Sequence, residues 1–167
     1  MSARVLVARQ GGRLEGVTVK IVRARAQRML AALELSTAEL SILLTNDTGI
    51  HALNAAYREK DRATDVLAFA MREGETSERE PGAHEVLGDV VISLDTAARQ
   101  APSHHHDGLA EVTMLLAHGV LHLVGYDHQD DAEEREMQAM TRVLVRAATR
   151  SDDAKTEPKR PLRRPRA

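Results

Sequence analysis

The chain contains no cysteine and no tryptophan, and it has only two tyrosines and one phenylalanine among 167 residues. Without thiolates, a disulfide scaffold and a cysteine metal site are both excluded, so any metal would have to bind to His, Asp or Glu. Three aromatic side chains are too few for a platform on which several bases stack. The absence of cysteine also fits a reducing compartment.

Long apolar runs are missing as well. No segment approaches the roughly 18 uninterrupted apolar residues of a membrane-spanning helix, so we expect no membrane segment. Near the N-terminus, Arg4 and Arg9 enclose only four apolar residues, fewer than the apolar region of a secretory signal peptide requires. The sequence therefore predicts a cytoplasmic protein.

Charge is spread unevenly along the chain. The formal net charge is −2, but residues 151–167 carry six Lys or Arg against three Asp or Glu, which leaves about −5 on residues 1–150. Such an acidic body argues against a broad basic surface for nucleic acid, so any nucleic-acid contact would be local. Proline alternates with Lys and Arg in 151–167, which predicts a disordered basic tail after a single domain over 1–150.

Hydrophobic periodicity divides the domain into alternating strands and helices. The predicted strands cover 4–8, 40–45, 64–71 and 87–93, and the predicted helices cover 19–33, 94–100, about 108–124 and 130–149, with another through Ile50, Leu53 and Tyr57. The polar segment 72–85 contains Gly and Pro and predicts an exposed loop. This order predicts an α/β (α+β) fold, with about five helices on one small mixed central sheet of about four strands and a metal cleft on one face.

Three histidines stand in the segment AHGVLHLVGYDHQD, residues 117–130. His118 and His122 lie one turn apart on the predicted 108–124 helix, on the side opposite its apolar stripe. Gly125 can end that helix in a left-handed conformation, so that His128 returns toward the other two. Three neutral imidazoles that converge on one point form a zinc site whose fourth position is open for water, as in catalytic zinc sites. We therefore predict one Zn²⁺ per chain.

The remaining histidines carry weaker patterns. Three consecutive side chains in a loop cannot all face one ion, so His104, His105 and His106 are expected to be solvated. His51 and His84 belong to no motif.

The spacing of the three histidines also matches the zinc peptidases written H-E-x-x-H-x-x-G-x-x-H. Those enzymes carry a glutamate as general base at the position where this chain has Gly119. A glycine cannot transfer a proton, and a peptide hydrolase without its base would lose much of its rate. The sequence therefore disfavours a metallopeptidase.

Three segments together resemble the YbeY family, bacterial rRNA maturation factors described as zinc-dependent endoribonucleases. HGVLHLVGYDH (118–128) resembles the family signature, LNAAYREKDRATDVLAFA (53–70) resembles its L-N-x-x-Y-R-x-x-D-x-x-T-D-V-L-S-F-P block, and LGDVVIS (87–93) resembles its L-G-D-I-x-I-S strand. The segments occur in family order, and the likeness spans about 1–148. Ala68 and Ala70 replace the S and P of L-S-F-P, and the tail lies outside the family core.

The resemblance implies roles for particular residues. His118, His122 and His128 would be the zinc ligands, and Arg58 would face the metal cleft. It also implies processing of the 16S rRNA 3′ end and removal of defective ribosomes. The implied partners are the small ribosomal subunit, a small-subunit ribosomal protein and a ribosome-associated GTPase.

Several charged residues are candidates for the chemistry, each with an alternative role. A bound zinc needs little help from a separate base when the substrate is a phosphodiester, and the planar fork of Arg58 suits phosphate oxygens. From the residues alone, Arg58 is equally consistent with a surface arginine at a helix end. Asp127 either orients a ligand imidazole and assists proton transfer, or forms a turn. Glu111 either contacts a metal ligand without binding the metal itself, or is an acid at the start of a helix. Asp61 and Asp65 are expected to fix the loop near Arg58.

The sequence thus predicts a zinc-dependent, single-strand-specific endoribonuclease that acts on rRNA, with Arg58 and Asp127 as catalytic residues. The alternative is a non-catalytic zinc-containing ribosome assembly factor. A metallopeptidase is a third choice, which Gly119 disfavours. The basic tail would anchor the acidic body to rRNA.

Overall fold

The computed structural model describes residues 3–71 and 85–150. Its strands are β1 (Arg4–Gln10), β2 (Ala38–Thr45), β3 (Val66–Ala70) and β4 (Glu85–Ser93). Its α-helices are α1 (Val19–Ala32), α2 (Asp47–Arg58), α3 (Leu94–Gln100), α4 (Gly108–Leu123) and α5 (Asp131–Thr149), with a 3₁₀ turn at Ala101–His104. The predicted loop over 72–85 (except Glu85), the tail over 151–167 and His84 lie outside the described residues.

The predicted fold class is confirmed: the described residues form one mixed four-stranded sheet with five α-helices. The strand order is β1-β2-β4-β3, in which β1, β2 and β4 run parallel and β3 runs antiparallel to β4. The parallel pairs need long connections, which α1 supplies between β1 and β2. No helix of the described residues has the length and apolar character to cross a membrane.

A β-bulge adjusts the register between β2 and β4. Glu39 pairs with Val86 and Leu40 pairs with Gly88, so Leu87 is an extra residue in β4. Gly88 has a φ of +136°, and a Cβ there would lie 2.1 Å from the carbonyl oxygen of Phe69. Only glycine therefore fits at position 88, where β3 pairs with β4 beside the bulge.

The main core fills one face of the sheet, where α1 and α4 pack on the strands and α5 packs on α1 and α4. Its largest fully buried side chains from these helices are Met29, Leu30, Leu115, Leu116, Leu121 and Leu144. The other face carries a smaller cluster of Ile50, Leu67 and Val91 beneath α2. Because successive strand residues point to opposite faces, Val90 belongs to the main core and Val91 to the smaller cluster.

Helix α4 is the central helix of the main core. It is buried over a wider surface than the predicted apolar stripe, and the buried set includes Glu111, Ala117 and Gly119. Gly119 packs directly on the sheet, where a Cβ would lie 2.6 Å from Cγ1 of Val90. The missing side chain therefore lets α4 approach β4 closely.

Asp47 links three elements at the carboxyl end of the central strands. Ser93 and Thr96 each donate a hydroxyl hydrogen bond of 2.6 Å to its Oδ1, and Arg99 Nη2 lies 2.8 Å from its Oδ2. Burial acts to raise the pKa of Asp47, but these hydrogen bonds and the charge of Arg99 outweigh it, so the pKa is lowered. The ionised carboxylate thus ties α2 to β4 and α3.

The contact between Gly119 and Val90 predicts a background-dependent stability effect. We expect Gly119→Ala to lower the free energy of unfolding by about 1 kcal/mol. Overpacking against Val90 destabilises the fold by more than the higher helix propensity of alanine stabilises it. In a Val90→Ala background the same change should be neutral or stabilising. Urea denaturation followed by circular dichroism measures both, and an equal loss in the two backgrounds would contradict the steric explanation.

The Asp47 network predicts a pH-dependent contribution to stability. A lowered folded pKa contributes stability above the unfolded value near 3.9, and that contribution is lost as the pH falls through the folded pKa. We expect Asp47→Asn to cost about 1–2 kcal/mol at pH 7 and much less near pH 3. Asp61→Asn is the control because that side chain is 94% exposed. A pH-independent loss in urea denaturation would refute the assignment.

Candidate metal centre and cleft

The end of α4 brings its histidines toward the following turn. Gly125 has a φ of +103°, its N–H donates to the carbonyl of His122, and the N–H of Tyr126 donates to the carbonyl of Leu121. These two bonds form a Schellman motif, as the predicted left-handed glycine requires. The chain therefore reverses at Gly125 and returns His128 to the helix end.

Two of the three predicted ligands lie side by side. The ring centroids of His122 and His128 are 5.5 Å apart with an angle of 66° between the planes. His118 lies one turn earlier on α4, close enough that the charges of the other two act on it. Among the described residues, however, the ligating atoms of His118, His122 and His128 do not all lie within 4.8 Å of one another.

Both helical histidines favour the neutral form that binds metals. Burial is the main cause that lowers the pKa of His118, with further lowering from His122 and His128, while Asp65 and Glu111 oppose it. Burial also lowers the pKa of His122, and the neighbouring His128 adds to this. Neutral imidazoles offer their lone pairs to a cation, so the donor chemistry of this histidine set fits zinc.

A cleft of about 960 Å³ opens beside the histidines, and His122 lines it. Its described lining includes four cationic side chains, Arg58, Lys60, Arg62 and Arg99. Asp65 and Asp127 also line the cleft, so its cationic side chains outnumber the acidic ones by four to two, and this local excess of positive charge attracts anions although the domain is acidic overall. The prediction of a local nucleic-acid contact therefore has a candidate place in the fold.

Arg58 lines this cleft. Its Nη2 donates a hydrogen bond to the carbonyl of Ala68, and its guanidinium carbon lies 5.0 Å from the ring centroid of Phe69. Its charge contributes to lowering the pKa of His122. The guanidinium is therefore held over β3 beside the histidines, and the alanine at 68 does not disturb the strand.

Asp127 lines the cleft and forms the turn before the third histidine. Its Oδ1 accepts the backbone N–H of His128 at 2.8 Å, and its Oδ2 accepts Nε2 of Gln129 at 2.8 Å. Its charge raises the pKa of His122 in opposition to burial. Both carboxylate oxygens thus serve the turn, while the charge acts on a neighbouring imidazole.

The loop before β3 is held by its own side chains. Asp65 Oδ1 accepts the N–H of Val66 at 2.8 Å, and the side chain of Thr64 contacts the same oxygen at 3.4 Å. Asp61 instead pairs with His51, whose Nε2 lies 2.6 Å from its Oδ1. Of the two aspartates, Asp65 is the one that lines the cleft.

His104 and His106 are 45% and 34% exposed, as expected of loop histidines, but both also pair with the buried Glu111, which the sequence did not predict. Nδ1 of His104 lies 2.7 and 3.0 Å from the two carboxylate oxygens of Glu111, and Nδ1 of His106 lies 3.0 Å from Oε2. The ligating atoms of these three residues all lie within 4.8 Å of one another, a spacing that could hold a metal ion. His105 adopts a positive φ of 57°, which directs its two neighbours to the same side.

Sequence reasoning also missed three cations of the cleft, Lys60, Arg62 and Arg99. Lys60 and Arg62 follow Arg58 at alternate positions in the segment REKDR, a regularity that could have indicated them. Arg99 comes from α3, and only the fold brings that helix beside the loop.

The chain matches known proteins over most of its length. The sequence profile of the family described as endoribonuclease YbeY matches residues 11–149. A protein of Anaeromyxobacter dehalogenans described as endoribonuclease YbeY is 52% identical over 126 residues, which are 75% of this chain and 62% of that protein. A protein of Heliobacterium modesticaldum with the same description is 45% identical over 117 residues, 67% of this chain and 70% of that protein.

The chain spans about three fifths of the length of the Anaeromyxobacter relatives that it matches. A solution structure of a protein from Thermotoga maritima aligns with 93% of this chain and 96% of its own, with a TM-score of 0.58 at 22% identity. That likeness concerns the fold. The profile match over 11–149 and the identity to the curated relatives show that this chain belongs to the endoribonuclease YbeY family.

Proposed function

We propose that this protein is a metal-dependent endoribonuclease that cuts single-stranded rRNA. The observation that carries the proposal is the junction of the histidine set with the cationic cleft, since His122 and Arg58 line the same cavity. A phosphodiester needs both a site for activating water and positive charge against its oxygens. The relatives' description as endoribonucleases supports the same reaction class.

The proposed cofactor is one Zn²⁺, held by His118, His122 and His128. A zinc ion there would lower the pKa of a water molecule toward neutrality and polarise a phosphoryl oxygen. The pKa directions of His118 and His122 support this assignment, because both rings favour the neutral ligand form. The closeness of His122 and His128 supports it as well.

Arg58 is the proposed phosphate-binding group. One of its nitrogens is used on the carbonyl of Ala68, and the ring of Phe69 supports the guanidinium plane. The remaining N–H donors can hydrogen-bond phosphate oxygens, where charge accumulates during the displacement. The supporting contacts fix its position before RNA arrives, so little ordering is required on binding.

For Asp127 we propose positioning as the principal role in catalysis. Its hydrogen bond to the N–H of His128 holds the turn that carries the third ligand. Its negative charge also stabilises the imidazolium form of His122, which opposes the effect of burial. Loss of this carboxylate would therefore affect the ligand set more than proton transfer.

The proposed cellular role is maturation of the 16S rRNA 3′ end and ribosome quality control, in the cytoplasm. The small ribosomal subunit, one of its proteins and a ribosome-associated GTPase are the proposed partners. The family description supports the RNA substrate. We further propose that residues 1–150 are one catalytic domain and that the basic residues of 151–167 bind rRNA.

The main alternative is a ribosome assembly factor in which the metal only stabilises the fold. Chelation would then unfold the protein, and an uncleaved complex with the small subunit would form when zinc is present. A peptidase is a weaker candidate, because the place of its general base is taken by Gly119, which packs against Val90.

Cleavage of single-stranded RNA tests the proposed function. We expect His118→Ala to abolish cleavage, and Arg58→Ala to reduce kcat/KM by about 100-fold because a phosphate donor is lost. Arg58→Lys should fall between wild type and Arg58→Ala, since it keeps the charge but not the fork. Initial rates on a labelled oligonucleotide, with circular dichroism to confirm folding, give these values.

Arg142→Ala is the matched control, because this arginine is exposed on α5 and does not line the cleft. Its rate should stay within about twofold of wild type, as for other exposed surface sites. Cleavage at the wild-type rate in both His118→Ala and Arg58→Ala would show a contaminating nuclease and end the proposal.

The tail can be tested by charge and length separately. Deleting 151–167, or replacing its six Lys and Arg by Gln at constant length, should weaken RNA binding and flatten its salt dependence. If the six cations of the tail neutralise six phosphates, losing them would change the slope of log K against log salt concentration by at most about 4. Fluorescence anisotropy between 50 and 300 mM salt measures it, and an unchanged slope in the Gln variant would exclude an electrostatic role.

A further inference from the structure

The geometry points to a second metal site, separate from the proposed zinc ligands, in which His104, His106 and Glu111 bind a transition-metal dication of the zinc class. The three side chains come from two elements. His104 ends the 3₁₀ turn, His106 follows it, and Glu111 lies in the first turn of α4. We name this set the His-His-Glu cluster.

The cluster already has the spacing of a coordination site. Its ligating atoms all lie within 4.8 Å of one another, and the imidazole rings are 6.0 Å apart at an angle of 62°. Both nitrogens that approach the carboxylate are Nδ1 atoms. A cation among them would bind Nδ1 of both rings, and any proton on Nδ1 would leave or move to Nε2 of the same ring.

The burial of Glu111 supplies an independent reason for a cation. Its side chain is 0% exposed, while those of His104 and His106 are 45% and 34% exposed. A carboxylate that is out of contact with water requires compensation by positive charge or hydrogen bonds. A dication provides it, and the partly exposed histidines leave a path from solvent for the ion and for a water ligand.

The ligand types select the class of metal. Two imidazoles and one carboxylate form the donor set of several zinc sites with an open position and also suit iron, nickel and copper. Magnesium and calcium prefer oxygen ligands throughout, so they fit the cluster poorly. The proposed ion is therefore Zn²⁺ or a metal of similar softness.

The cluster cannot serve as the second half of a two-metal catalytic centre. Glu111 and His118 lie seven residues apart on one face of α4, which is about 10 Å along the axis. Paired catalytic metals lie only about 3.5–4 Å apart. The proposed ion would therefore cross-link the 3₁₀ turn to α4 and stabilise the region beside the main centre.

Zinc stoichiometry tests the cluster directly. The full chain, made without an affinity tag and stripped with a chelator, is titrated with Zn²⁺ by calorimetry, and bound metal is counted after dialysis. We expect His104→Gln/His106→Gln to bind one zinc fewer than wild type and to lose the rise in Tm which that zinc produces. His105→Asn, which tolerates the same positive φ, should bind as much as wild type.

His122→Ala separates this site from the proposed catalytic centre, because it should retain the zinc of the cluster. If wild type binds one zinc and His122→Ala loses it, or if the double variant binds as much as wild type, the cluster is not a metal site. Loss of cleavage is not used here, so the two proposals fail independently. Should the double variant not fold, the imidazole NMR signals of His104 and His106 in His122→Ala decide: unchanged signals on addition of Zn²⁺ overturn the site.

Discussion

The close packing of α4 on the central strand is the contact on which the rest of the structure depends. Gly119 brings the helix backbone against Val90, and this proximity fixes α4 as the middle of the main core. Its first turn then delivers Glu111 to the loop histidines, and its last turn delivers His122 to the cleft. One rigid helix therefore sets the position of both candidate metal sites, and neither can move without disturbing the buried layer beneath it.

Charge is organised locally against the overall balance of the chain. The formal net charge is −2, yet the described lining of the cleft combines four cationic residues with the aspartates at 65 and 127. Asp47 holds Arg99, and the carbonyl of Ala68 together with Phe69 holds Arg58, so these two guanidinium groups are fixed by the fold. A pre-oriented cationic cavity can bind an anionic polymer without a basic surface around it.

The strands, the helices and the turn at Gly125 could be predicted from sequence, because apolar periodicity and glycine geometry are local properties. The partners of Glu111 could not. Three consecutive histidines cannot all face one ion, but the left-handed conformation of His105 lets His104 and His106 point to the same side. Arg99 was equally hidden, since its place in the cleft depends on how α3 packs after β4. Long-range packing decided both cases.

The steric closure at Gly119 has a consequence for the mutational routes open to this fold. A histidine spacing shared with zinc peptidases suggests that one substitution, glycine to glutamate, would connect the two kinds of site. In this chain even a Cβ at position 119 would lie 2.6 Å from Val90. A side chain at position 119 is therefore opposed by the side chain of Val90, and a smaller residue at position 90 would have to precede a glutamate there.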